Sequence, residues 1–121
     1  MTKRKVAVFT GNRADYGFQY PVLKGVHEHP ELDCHLLVSG AHLDENFGRT
    51  LEEIRNDGFH IDSEVKIDMG SDSKISTANA IGSGILSISS ALQKFMPDIF
   101  VVSVDRFEGF AALIAATQMN I

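Results

Sequence analysis

An acid and a guanidinium stand side by side at Asp105 and Arg106, just after the apolar run Ile99-Phe100-Val101-Val102 and just before the pattern Phe107, Phe110, Leu113 and Ile114. Such a run suits a parallel strand buried on both faces, followed by a helix. Polar groups at the carboxyl end of that strand lie where open α/β sheets bind ligands. An acid and a guanidinium in that crevice are candidates for contact with a bound ligand. A structural reading competes: Asp105 as N-cap with Glu108 three positions on makes a capping box, worth roughly 1 kcal/mol to the helix.

A second charged loop in the equivalent place tips the balance toward chemistry. The strand Val6-Ala7-Val8-Phe9-Thr10 runs into Gly11-Asn12-Arg13-Ala14-Asp15-Tyr16-Gly17, after which an amphipathic stretch continues through Val22, Leu23 and Val26. A loop entering a helix offers free backbone N–H groups and the positive end of the helix dipole, both of which favour phosphate. Arg13 adds a bidentate ligand for the same group. The glycines form neither G-x-G-x-x-G nor G-x-x-x-x-G-K-[ST], so neither a dinucleotide fingerprint nor a P-loop is present.

These loops need elements to hold them. The order reads strand, helix, strand, short helix, strand, long helix, strand, helix, which signals α/β with a mainly parallel sheet in one domain spanning 1–121. Thr50-Leu51-Glu52-Glu53 has capping-box spacing and Gly58 is placed to end the short helix it opens. Phe59 to Ile67 alternates as a half-buried or edge strand. From Ile75 through Ala78, Ile81, Ile85, Ile88, Leu92 and Phe95 the apolar residues recur at helical spacing, and Pro97 closes that helix. Its other faces carry Gly82, Ser83, Gly84, Ser87 and Ser90, small residues that allow another backbone to approach closely, within the domain or across a homo-oligomer.

Composition agrees. A hydrophobic content of 44% supports a core. No apolar stretch reaches the roughly 18 residues of a membrane span, and Met1-Thr2-Lys3-Arg4-Lys5 leads straight into a strand, so a cytoplasmic protein is expected. The formal net charge of −5 argues against general nucleic-acid binding. Cys34, the single cysteine, reads as a packed strand residue. The acids of Asp68-Met69-Gly70-Ser71-Asp72 lack EF-hand spacing, and no His/Cys/Asp cluster has zinc spacing.

Thr10-Gly11-Asn12-Arg13-Ala14-Asp15-Tyr16-Gly17, Val38-Ser39-Gly40-Ala41-His42-Leu43 with Phe47-Gly48, and Pro97-Asp98-Ile99 leading to Asp105-Arg106-Phe107-Glu108 together resemble the hydrolysing UDP-N-acetylglucosamine 2-epimerases of sialic acid biosynthesis. The resemblance covers nearly the whole chain with its motifs in order, and only the front of a typical member. It implies a Rossmann-like three-layer domain forming most of the first half of a GT-B architecture. It also implies an incomplete polypeptide, with the sheet edge near Ile121 left uncovered and no turnover by the chain alone. By the same resemblance Arg13, Gly17 and Arg106 bind the UDP portion of a UDP-sugar, Asp105 is a catalytic carboxylate and His42 lies near the sugar as a further catalytic candidate. Val104 stands where the family usually has glycine. The implied reaction expels UDP from C1 as the C2 proton is lost, then adds water to give N-acetylmannosamine, with no metal or cofactor. Two other readings stay open: a GDP-sugar or non-hydrolysing epimerase, and a non-catalytic α/β domain that binds a nucleotide or anion.

Overall fold

A computed structural model of the chain describes residues 3–39, 42, 50–67, 73–103 and 106–121. Asp105 and Val104 lie outside these residues, as do Gly40, Ala41, Leu43 and 68–72. The apolar runs form β1 (Arg4–Thr10), β2 (Leu32–Ser39), β3 (Ser63–Val65) and β4 (Ile99–Val102). All three pairings are parallel, in the order β3-β2-β1-β4. Between the strands run α1 (Arg13–Glu28), α2 (Thr50–Asn56) and α3 (Lys74–Phe95), and α4 (Phe107–Gln118) follows β4. The expected α/β class with a parallel sheet is what the chain adopts.

Alternation along the strands divides the core in two. Ala7, Phe9 and Leu37 face α3 and α4, whereas Val6, Val8, Leu36 and Val38 face Tyr16, Leu23 and Ile54 of α1 and α2. The result is three layers with β1 bonded to a neighbour on both sides. Register is fixed from Val6 opposite Ile99 to Phe9 opposite Val102, and Lys5 and Asp98 exchange bonds at the strand entry, each 2.8 Å.

Three local readings of the sequence change. The loop after β1 is only Gly11-Asn12, because Asn12 caps α1: its Oδ1 accepts from the Asp15 amide at 2.9 Å and its Nδ2 donates to the Asp15 carboxylate at 3.0 Å. Arg13 to Gly17 are therefore helical, and Pro21, which sits inside the same helix, cannot donate to the Gly17 carbonyl. The Phe59–Ile67 stretch is strand only at Ser63–Val65, with Phe59 turned into the α1 side of the core. Gly58, at φ 93°, ends α2 as expected. The third change concerns α4, which buries Gly109, Ala111, Ala112, Ala115 and Ala116 and leaves Phe110 and Leu113 about half exposed.

That choice of face follows from α3. By length and apolar content α3 could cross a membrane, which corrects the expectation that no such segment exists. In the fold it packs instead, burying Ala80, Gly84, Ile88 and Leu92. The small residues at its centre meet the small face of α4: a Cβ on Gly84 would stand 3.1 Å from Ala111 Cβ and 3.2 Å from Ile67 Cδ1. The close approach expected of the helix is thus made within the domain. Gly84→Val should lower unfolding free energy by about 2 kcal/mol through overpacking of this seam. A denaturation midpoint equal to the parent's would show that α3 and α4 can separate freely.

Candidate functional site at the sheet switch point

From β1 the chain crosses to β2 on one side, while β4 pairs with β1 on the other, so the sheet reverses its winding between β1 and β4. The loops that leave these two strands flank the resulting crevice, the position at which open α/β sheets bind ligands. A Cβ on Gly11 would stand 3.0 Å from Glu108 Cβ. Glycine at that position lets the β1–α1 loop lie directly against the start of α4. Two helix N-termini, those of α1 and α4, thereby meet at one place.

Of the residues singled out in the sequence, Arg13 and Arg106 stand at the starts of these two helices. Arg13 opens α1 and is largely solvent-exposed, forked onto Glu53 of α2 with Nε and Nη2 at 3.2 and 3.3 Å from its two oxygens. Arg106 is the N-cap residue of α4, its guanidinium 5.6 Å from the Phe107 ring centre and 3.3 Å from Glu108 Oε1. Because the helix begins at Phe107, Glu108 occupies its second position rather than the third, and the capping box read from Asp105 and Glu108 does not have the register it needs. Gly17 is exposed in the second turn of α1 with open space around it.

His42 lies under the β1–α1 loop, 2% exposed. The Thr10 hydroxyl is directed at the Asn12 carbonyl 3.3 Å away, so its oxygen accepts from His42 Nε2–H at 2.9 Å. Nδ1 then accepts from the Thr50 hydroxyl at 2.5 Å. Both ring nitrogens are engaged and the neutral form is favoured: burial lowers the imidazole pKa from 6.5 to about 4, against a smaller opposing pull from the Asn12 carbonyl. The Thr50 hydroxyl serves His42 and the Glu53 carboxylate serves Arg13. Through them α2 braces both the loop and the first turn of α1, and Tyr16 Oη adds a bond to the Asp57 carboxylate at 2.5 Å.

Sequence reasoning missed several members of this assembly. Gln19 donates to the Phe9 carbonyl at 2.8 Å, closing the end of β1 from α1. Asp15, 4% exposed, and Glu108, fully buried, place two carboxylates beneath the crevice. Burial raises the pKa of Glu108 and the nearby Asp15 raises it further, while the helix-start amide and the Arg106 guanidinium oppose the shift. The Asn-x-x-Asp spacing of the α1 cap was a readable signal for Asp15. Nothing in the periodicity marked Glu108 as buried. Among the described residues, no group of His, Cys, Asp and Glu is arranged to hold a metal ion.

Known proteins carry the same architecture. The family described as UDP-N-acetylglucosamine 2-epimerase matches residues 24–121. The UDP-N,N'-diacetylbacillosamine 2-epimerase (hydrolyzing) of Legionella pneumophila is 38% identical over 118 residues, covering 98% of this chain and 31% of that protein. The GDP/UDP-N,N'-diacetylbacillosamine 2-epimerase (hydrolyzing) of Campylobacter jejuni is 27% identical over 121 residues, or 31% of its length. The chain thus spans about a third of the curated relatives it matches. Among solved structures, UDP-GlcNAc 2-epimerase from Neisseria meningitidis bound to UDP-GlcNAc superposes with a TM-score of 0.77 at 20% identity, over 97% of this chain and 30% of that one.

Proposed function

Since the chain belongs to the UDP-N-acetylglucosamine 2-epimerase family, we propose that it forms the front of a hydrolysing 2-epimerase, contributing one wall of a site for a UDP-sugar. The observation that carries this reading is the meeting of the α1 and α4 starts across the switch point, with Arg13 and Arg106 on them and Gly11 packed against Glu108. Two positive helix ends and two guanidinium groups make a seat for a diphosphate.

In the proposed reaction the C1–oxygen bond to the diphosphate breaks as the C2 proton leaves, forming a C1–C2 double bond. The electron pair of the broken bond departs with UDP, and Arg106 stabilises it there. Asp105 accepts the C2 proton. Water then adds hydroxyl at C1 and hydrogen to the opposite face of C2, giving the 2-epimeric free sugar. Arg13 reaches the same diphosphate when it exchanges Glu53 for phosphate oxygens. His42 acts at one remove, by holding Thr10 and the Asn12 carbonyl so that the β1–α1 loop keeps its shape. Gly17 contributes an unobstructed surface on α1 beside the phosphates.

UDP-N-acetylglucosamine is the substrate first to be tested. The identity to the Legionella relative favours UDP-N,N'-diacetylbacillosamine as a second reading. The complete enzyme, incubated in D2O with each nucleotide sugar, is expected to release UDP and to yield an epimeric sugar deuterated at C2. Interconversion of two UDP-sugars without UDP release would exclude hydrolysis. Turnover confined to GDP-sugars would exclude the uridine nucleotide.

A further inference from the structure

Glu108 is an acidic residue without solvent access: it is 0% exposed, and what meets its carboxyl is the amide at its own helix start and the Arg106 guanidinium. Burying such a group costs free energy unless a charge compensates it. The neighbour that does so is the Arg106 guanidinium, whose Nη2 stands 3.3 Å from Oε1 and whose other face lies near the Phe107 ring. Arg106 itself is about half exposed, with its side chain 44% accessible at the mouth of the crevice. An exposed arginine loses considerable rotamer freedom when it is fixed. A buried carboxyl group two residues along the same helix start restricts it without blocking its outward edge.

Position reinforces this. Glu108 Cβ fills the space that Gly11 leaves open, 3.0 Å from where a Cβ on Gly11 would stand, and Asp15 on the α1 side disfavours a second negative charge coming nearer. Capping does not account for it, because its place in α4 is the wrong one for a capping box.

We propose that Glu108 is a positioning residue: from beneath the crevice it aims the Arg106 guanidinium outward at the diphosphate of the substrate. The inference rests on the reading of Arg106 as a diphosphate ligand. It predicts that loss of the Glu108 carboxyl weakens UDP binding through Arg106 and slows the chemical step as well, since Arg106 also stabilises the charge on the leaving diphosphate.

The test uses Glu108→Gln and Glu108→Met in the complete enzyme, beside Arg106→Ala and the Glu108→Met/Arg106→Ala double variant. Met matches the length of Glu and leaves no buried polar atom, so it keeps the fold testable if Gln does not fold. Both single variants at 108 should raise KM and the UDP dissociation constant roughly tenfold and lower kcat in the same direction as Arg106→Ala does. Glu108→Asp should restore part of the loss. In the double variant KM should equal that of Arg106→Ala alone, since a residue acting through Arg106 has nothing left to act on. A folded Glu108→Met enzyme with unaltered KM overturns the inference, and so do effects that add in the double variant. If Arg106→Ala itself leaves UDP binding unchanged, the diphosphate reading fails and takes this inference with it. A silent Glu108→Met beside a weakened Arg106→Ala rejects the positioning role alone.

Discussion

Asp105→Asn in the complete enzyme is expected to lower turnover by roughly 100-fold or more while the fold persists, the loss usual when an acid–base group is removed. Asp105 lies outside the described residues, and its nearest described neighbours are Ser103 and Arg106. β4 ends at Val102 and α4 starts at Phe107 with Arg106 in the N-cap position, so the helix does not call for a carboxylate at 105. A cap role would in any case be met by asparagine, which caps about as well as aspartate. A base that takes the C2 proton needs a carboxylate oxygen, which asparagine cannot supply. Steady-state kinetics with thermal unfolding of the same sample decide the matter. Turnover within a few-fold of the parent would remove Asp105 from the chemistry.

The second large effect is on stability in acid. His42 has its pKa lowered to about 4 from 6.5, so the folded state takes up a proton less readily than the unfolded chain does. Its contribution is complete above the unfolded value and is lost as pH falls from 6.5 toward 4. Integrated over that window the loss is about 3 kcal/mol. Glu108 works in the opposite direction. Its raised pKa makes the folded state bind a proton more tightly than the unfolded chain does, so the cost of burying it is relieved as pH falls. Comparison of parent and His42→Asn by denaturant unfolding at pH 7, 5.5 and 4.5 cancels the Glu108 term. The parent should lose stability with acid more steeply than the variant. Parallel curves would mean that the imidazole is protonated without cost where it sits.

The parallel sheet was legible because its strands are apolar runs bounded by turn residues, and α3 because its apolar residues recur over many turns. What periodicity could not resolve was which face of a helix is inside when small residues do the packing. Phe110 and Leu113 carry the apolar signal of α4, yet Gly109, Ala111 and Ala112 form the contact, since only small side chains let α4 come so near Gly84. The site was legible in its residue types and opaque in its partners. Arg13 and Arg106 could be read from their places after strands, but their acids come from other parts of the chain or from an inward-turned rotamer. Glu53 is 40 residues away from Arg13. The extent of the first loop was misjudged because its glycines outweighed the Asn12 cap in the reading, although the cap sets where α1 begins.

The fork between Arg13 and Glu53 alters how binding should respond to ionic strength. A bare arginine holds counterions that a phosphate must release, and each such cation steepens the dependence of affinity on salt. Arg13 already carries an anion that belongs to the protein. The pair is exposed, so it holds little free energy and opens readily. A diphosphate that takes the guanidinium from Glu53 exchanges one negative partner for another, and the freed carboxylate then gathers cations from solution. Arg13 should therefore register as a contact that is nearly silent in a salt titration.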